Sequence, residues 1–258
     1  MLKFRTLRIT LLLGGLICAS LVTAHQMVYT RSWTKPLDVV IYPINADGHL
    51  ATDKYIQSLS TSTFAQIDRW MEREAERHNL ALTTPVNVTL GGQIQQHPPA
   101  FPVNGNAVDV LFWGLSFRYW AWRNTPESES DLTRVRLFVM YHEGEEDKPL
   151  AHSLGMQKGL MGLVHAFALD KQTNQNNIVI AHEMLHTVGA LDKYERTGAP
   201  MFPVGYANPA RTPLFPQRSA EIMAGRIPVS HYSHYMAESL KSVVLNEYTA
   251  AEINWLEE

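Results

Sequence analysis

A chain of 258 residues with 45% hydrophobic side chains can bury one sizeable core, or two subdomains around a cleft. The formal net charge of −3, with no Lys/Arg run beyond the first eight residues, argues against a nucleic-acid footprint. Nothing in the composition points to disorder, collagen-like sequence or a repeat array.

The N-terminus reads as an export signal. Lys3, Arg5 and Arg8 precede an apolar run from Ile9 to Val22, and Val22-Thr23-Ala24 offers small residues for cleavage. Residues 1–24 are expected to be a signal peptide or an N-terminal membrane anchor. The run falls short of the roughly 20 apolar residues of a membrane span, yet residues 9–22 can still act as an inner-membrane tether. In either case the basic flank stays inside. The body is then exported, as a periplasmic, membrane-anchored or secreted protein. Cys18, the single cysteine, follows Ile17, which is not the small residue that a lipoprotein signal wants. Once the signal is cleaved, no thiol remains for a disulfide or a zinc ligand.

Leu37–Ile44 (LDVVIYPI) predicts a first strand, closed by Pro43 and the turn Asn45-Ala46-Asp47-Gly48. A helical region from Thr52 to Asn79 divides in two. Ile56 and Leu59 suit a short helix, and Ser60-Thr61-Ser62 can cap a second with Phe64, Ile67, Trp70, Met71 and Ala75 on one stripe. Pro85–Ile94 reads as a strand ended by the loop around His97-Pro98-Pro99. Ala107–Arg123 is aromatic-rich and apolar on most faces. That pattern predicts a buried helix packed on a sheet, with a sugar- or membrane-binding face as the alternative. Val135–His142 and Gly162–Leu169 predict two more strands, separated by the acidic turn Glu143 to Asp147. Tyr194–Arg226 carries five prolines and no periodicity, and is expected to be a long ordered loop. A last helix near Thr249–Glu258 has a capping-box start in Thr249-Ala250-Ala251-Glu252. The alternation of strands and helices predicts a mixed α/β (α+β) fold with a four- to five-stranded sheet.

The segment Asn176–Tyr194 reads NNIVIAHEMLHTVGALDKY. Asn176 or Asn177 can cap a helix and Gly189 can end it. His182 and His186, four apart, project side by side from one face. Ile180, Ala181, Met184 and Val188 fall roughly opposite and can pack on the sheet. Glu183 is rotated away from the histidine face, as suits a general base and not a ligand. A catalytic zinc takes three protein ligands and keeps one position open.

A bare His-Glu-x-x-His has roughly 0.03 chance occurrences in a chain of this composition. Gly189 and Asp192 extend it to His-Glu-x-x-His-x-x-Gly-x-x-Asp, which cuts the expectation to roughly one in ten thousand. Glycine allows a left-handed exit that brings Asp192 back toward the metal. Asp192 could instead pair with Lys193 or cap a turn, and Glu195 is the rival third ligand.

The motif resembles that of the metzincin clan of zinc peptidases, in the Asp variant of snapalysin-like members. His182–Arg226 also resembles a stretch found in exported bacterial proteins. The match covers about a sixth of the chain. It implies a zinc site of His182, His186 and Asp192, with Glu183 as catalytic base and Met223 in the methionine-containing turn, in Glu221–Gly225. It also implies a single catalytic domain, 25–258, with an upper subdomain 36–190 and a lower one 191–258. The Asp ligand makes the set more anionic than the usual third His. Where some members carry a tyrosine after the turn methionine, this chain has Gly225. Tyr232 and Tyr235 are therefore candidates for an auxiliary or oxyanion role, together with His231 and His234. His165 is expected to be a sheet residue, and His142, His152 and His97 to lack partners at ligand spacing.

The function expected is an exported metallopeptidase acting on a peptide or protein substrate. Two rivals are an inactive zinc-stabilised envelope protein and a zinc hydrolase of a non-peptide bond. A fourth side chain such as His231 filling the open position would favour the inactive protein.

Overall fold

A computed structural model describes residues 2–125, 133–144, 153–156 and 159–256. His152 and residues 145–147 of the acidic turn lie outside them. The N-terminal segment is one helix, α1 (Leu2–Arg31). The first strand, β1 (Leu37–Asn45), leads into α2 (Leu50–Ser58) and α3 (Thr61–Arg77), followed by β2 (Val86–Leu90), α4 (Ala107–Asn124) and β3 (Val135–His142). Next come β4 (Leu154–Met156), β5 (Met161–Phe167) and α5 (Thr173–Thr187). Short strands β6 (Ala220–Glu221), β7 (Arg226–Pro228), β8 (His234–Met236) and β9 (Val243–Val244) precede α6 (Glu247–Glu252).

The main sheet has five strands in the order β2-β1-β3-β5-β4, all parallel except the edge strand β4, which runs antiparallel to β5. The central strands are covered on both faces, as parallel strands require. One face packs on α3 and α5 through Val39, Ile41, Leu137, Val139 and Val164; the other packs on α4 through Val40, Tyr42, Phe138 and Met140. Pro43 does not close β1, which continues to Asn45 with Pro43 opposite Val139. Pairing with β2 stops at Ile41 and Leu90, so the N–H that Pro43 lacks faces a position past the end of that strand.

The stripe expected on α3 is borne out: Phe64, Ile67, Trp70, Met71 and Ala75 are buried, and Ser60 caps the helix in a capping box with Thr63. The same face carries a buried carboxylate. Glu74 pairs with Arg73 at 3.2 Å and Arg77 at 3.1 Å, and accepts from the Leu245 N–H at 3.0 Å. Trp70 Nε1 and Arg73 Nη2 both donate to the Val243 carbonyl, each at 3.0 Å. Helix α3 thus clamps β9, which pairs with β6 immediately before the turn containing Met223. Core packing therefore reaches the candidate site through three successive elements.

Three expectations need correction. The apolar run of residues 9–22, read as short for a membrane span, lies within a helix that continues through the proposed cleavage region to Arg31. Its segment Phe4–Arg31 has the length and composition of a membrane-crossing helix or signal sequence. Helix α5 starts at Thr173, after a 3-10 turn, and not at Asn176 or Asn177. Asn176 lies inside the helix, accepting from Phe167 N–H and donating to its carbonyl, so its amide closes the strand-to-helix corner. The last helix starts at Glu247, capped by Asn246, whose side chain accepts from Thr249 N–H.

Candidate metal centre

Helix α5 buries Ile180, Ala181, Met184, Leu185 and Val188 against the sheet, which leaves His182 and His186 on the outer face. The helix ends in a Schellman motif: Gly189 N–H donates to His186 O and Ala190 N–H to Leu185 O. Gly189 has φ 110°, a conformation that side chains disfavour. This exit carries the chain back along the helix and sets Asp192 against the two rings.

His182 Nε2, His186 Nε2 and Asp192 Oδ1 converge. The separations are 3.1 Å between the two nitrogens, 3.1 Å from His182 to Asp192 and 3.2 Å from His186 to Asp192. Each ring is oriented through its other nitrogen: His182 Nδ1 donates to Ile222 O at 3.0 Å and His186 Nδ1 to Ala190 O at 2.8 Å. A carbonyl oxygen only accepts, so both rings carry their neutral-state proton on Nδ1 and turn a lone pair inward from Nε2. Two such lone pairs and a carboxylate within 3.2 Å repel unless a cation or a proton sits among them. The three residues form a group that could hold a metal ion.

The electrostatics agree. Burial works against charge on His182, but the Asp192 hydrogen bond, the Glu183 carboxylate and the Ile222 carbonyl together raise its pKa. Burial pushes Asp192 up, yet the hydrogen bonds from His182 and His186 hold it well below the usual carboxylate range.

The turn Glu221–Gly225 lies beneath His182, with Met223 fully buried and its carbonyl accepting from Lys193 N–H at 3.0 Å. Buried Glu221 organises it. This carboxylate accepts from Met223 N–H at 2.6 Å, Ala224 N–H at 3.1 Å and Thr249 Oγ1 at 2.6 Å. Burial pushes its pKa up to about 7, against partial relief from Thr249 and Lys193. Because the folded pKa lies above the unfolded value, this group favours folding fully below pH about 4.5 and loses that contribution as pH rises through about 7. The loss amounts to roughly 3 kcal/mol at most, at 1.36 kcal/mol per pKa unit. The thermal midpoint of the chelated protein should therefore fall between pH 5 and pH 8, and Glu221→Gln should flatten that fall. An equal slope in the variant would assign the dependence elsewhere.

Several partners of the site were not legible in the sequence. Glu252 does not close a capping box with Thr249. Its Oε2 accepts from Leu191 N–H at 3.0 Å and Lys193 Nζ at 2.5 Å, gripping the chain on both sides of Asp192. Lys193, the alternative partner read for Asp192, is thereby committed to Glu252. Tyr194 has its ring 6.3 Å from that of His182, and its phenol feels the Asp192 charge. Burial and the Asp192 charge raise its pKa, so the phenol keeps its proton. Gly155 on β4 lies across the helix. A Cβ there would fall 2.5 Å from both Glu183 O and His186 Cβ, and 3.2 Å from Glu183 Oε2. Only glycine lets the edge strand lie this close to Glu183, which is itself 4% exposed.

Tyr232 is 97% exposed and Tyr235 lies on β8, more than half exposed. His231 packs against Phe215 and Tyr232, His234 lies on β8, and Glu195 is exposed. His142 has a partner after all: its Nε2 lies 2.9 Å from His165 Nδ1 on the neighbouring strand. His97 Nε2 meets the Asn45 carbonyl at 2.8 Å.

No protein-family model and no curated protein matches this chain. Among solved structures it is similar to one titled "Structure of a chaperone-substrate complex", at 12% identity and a TM-score of 0.40, over 85% of this chain and 33% of that one. The chain thus spans about a third of that neighbour's length.

Proposed function

We propose that this chain is an exported zinc-dependent hydrolase, specifically a peptidase of metzincin-like architecture. The observation that carries the reading is the convergence of three acceptor atoms, two of them on rings whose other nitrogens are already bonded. Zinc held tetrahedrally at about 2.0–2.1 Å from its ligands sets those ligands about 3.3 Å apart, close to the spacings of His182, His186 and Asp192. Two imidazoles and a carboxylate suit zinc in preference to the all-oxygen sets of magnesium or calcium. When bound, zinc would polarise a scissile carbonyl and make a water acidic at neutral pH.

The remaining chemistry belongs to side chains of the chain itself. Glu183 would take the proton from the attacking water and pass it to the leaving amine. The phenol of Tyr194, protonated and with its ring near His182, is favoured over Tyr232 and Tyr235 to donate to a developing oxyanion. The edge strand β4 can pair with an extended peptide, which would bring a substrate backbone past Glu183. Among the described residues His231 does not join His182, His186 and Asp192, which weighs against the purely structural zinc reading.

Zinc-loaded full-length protein incubated with a peptide library should yield fragments. Chelation should stop cleavage and added zinc should restore it. Folded, zinc-loaded protein that leaves every peptide intact would overturn the peptidase reading.

A further inference from the structure

Helix α4 is apolar on most faces but covered on one side only. Trp113, Phe117 and Ala121 pack against the sheet. The opposite side presents Val108, Leu111, Phe112, Leu115, Tyr119 and Trp122, each more than half exposed, at the three- and four-residue spacing of one continuous stripe. Soluble chains rarely leave a contiguous stripe of this kind in water.

The other main run of exposed large hydrophobics is α1, whose segment Phe4–Arg31 is long and apolar enough to cross a membrane. The foot of α1 is fixed to the body. Thr30 is buried, Arg31 Nη2 donates to Glu252 O, Trp33 Nε1 donates to Ile253 O at 2.6 Å, and the Trp33 ring packs edge-on against Trp255. A membrane crossed by α1 would therefore lie close to the body.

Topology brings the two apolar surfaces to the same end of the sheet. Helix α4 connects parallel strands, so it runs against them, and its C-terminal turns lie near the strand beginnings. Consistent with this, a Cβ at Gly159, just before β5, would lie 3.4 Å from Arg118 Nε. The beginning of β1 is also where the chain arrives from α1. Tyr119 and Trp122, at this end, are residues favoured at the headgroup level of a bilayer. Arg123 beside them supplies positive charge for anionic headgroups.

We propose that the outer stripe of α4 is a membrane-docking face, seated in the leaflet of an anionic phospholipid bilayer on the exported side. It rests on α1 serving as an anchor and is independent of the metal centre. In this arrangement the body lies on the membrane surface instead of swinging on a tether.

The test uses the full chain with Cys18→Ser and one new cysteine, carrying an environment-sensitive fluorophore, in phosphatidylcholine–phosphatidylglycerol vesicles. The positions are Leu115→Cys on α4, Leu12→Cys on α1 and Glu76→Cys on α3, across the sheet from α4. Leu115 and Leu12 probes should shift to the blue and lose most of their emission to brominated lipids, while the Glu76 probe keeps its own. A quenched Leu12 probe with a Leu115 probe that behaves like Glu76 would overturn the docking face. Failure of both would overturn the anchor and the docking face together. A Leu115 probe shielded only as protein concentration rises, and indifferent to brominated lipid, would make the partner a second copy and also overturn the proposal. None of these outcomes bears on zinc or turnover.

Discussion

Replacing His186 with alanine is expected to remove zinc from the protein while leaving the fold in place. Wild type should purify with about one zinc per chain, as a three-ligand site of this kind holds. His186 supplies one of three converging atoms, so its loss breaks the constellation directly. Removing an outer partner of a zinc ligand costs about 10- to 100-fold in affinity. Removing a ligand should cost on the order of a thousandfold or more, enough to empty the site during purification. The structural cost is smaller. The ring is partly exposed, and the hydrogen bond it makes outside the cluster, to Ala190 O, is worth about 1 kcal/mol. Elemental analysis beside circular dichroism separates the two effects. Asp192→Ala should weaken zinc retention in the same assay, and the anionic oxygen it removes is the one within 3.2 Å of both rings. Zinc retained at wild-type stoichiometry in His186→Ala would remove His186 from the site.

Glu183→Gln is expected to have the opposite profile: normal zinc content and no useful turnover. Glu183 lies between the two histidines in sequence but outside the converging cluster, so the change leaves every ligand atom in place. Glutamine is nearly isosteric, which matters because the side chain is buried with Gly155 packed against it. What the amide cannot do is accept a proton from water. Loss of a positioned general base costs about 10²- to 10⁴-fold in rate, and kcat should fall within that range with the peptide KM little changed. Full activity in a zinc-loaded variant would exclude Glu183 as the base and leave the site to work through polarisation alone.

The two variants separate questions that His-Glu-x-x-His merges, namely who holds the metal and who moves the proton. Glu252 and Glu221 belong to neither group. Their carboxylates hold backbone around Asp192 and Met223, so changes there should act through the geometry of the loop and turn.

Local pattern determined much of this molecule. The strands around Val39, Leu137 and Val164 are written as short apolar runs. The buried face of α3 repeats at helical spacing, and the two histidines four apart with a glycine three beyond follow from helix geometry alone. Cap positions were harder, because Asn and Thr side chains bond backbone in several ways. Asn176 closes a corner with Phe167 instead of opening a helix, and Thr249 spends its hydroxyl on Glu221.

Only the tertiary structure decided the rest, and each case has the same cause. The three-residue strand β4 is too short to show a period, and its meaning depends on what lies across from Gly155. Tyr194 and Glu252 are ordinary in sequence until the chain folds back and sets one beside Asp192 and the other beside Leu191 and Lys193. The apolar helix α4 reads as buried because hydrophobicity is a property of the segment. Whether both faces find cover depends on how many layers the fold supplies, and here it supplies one.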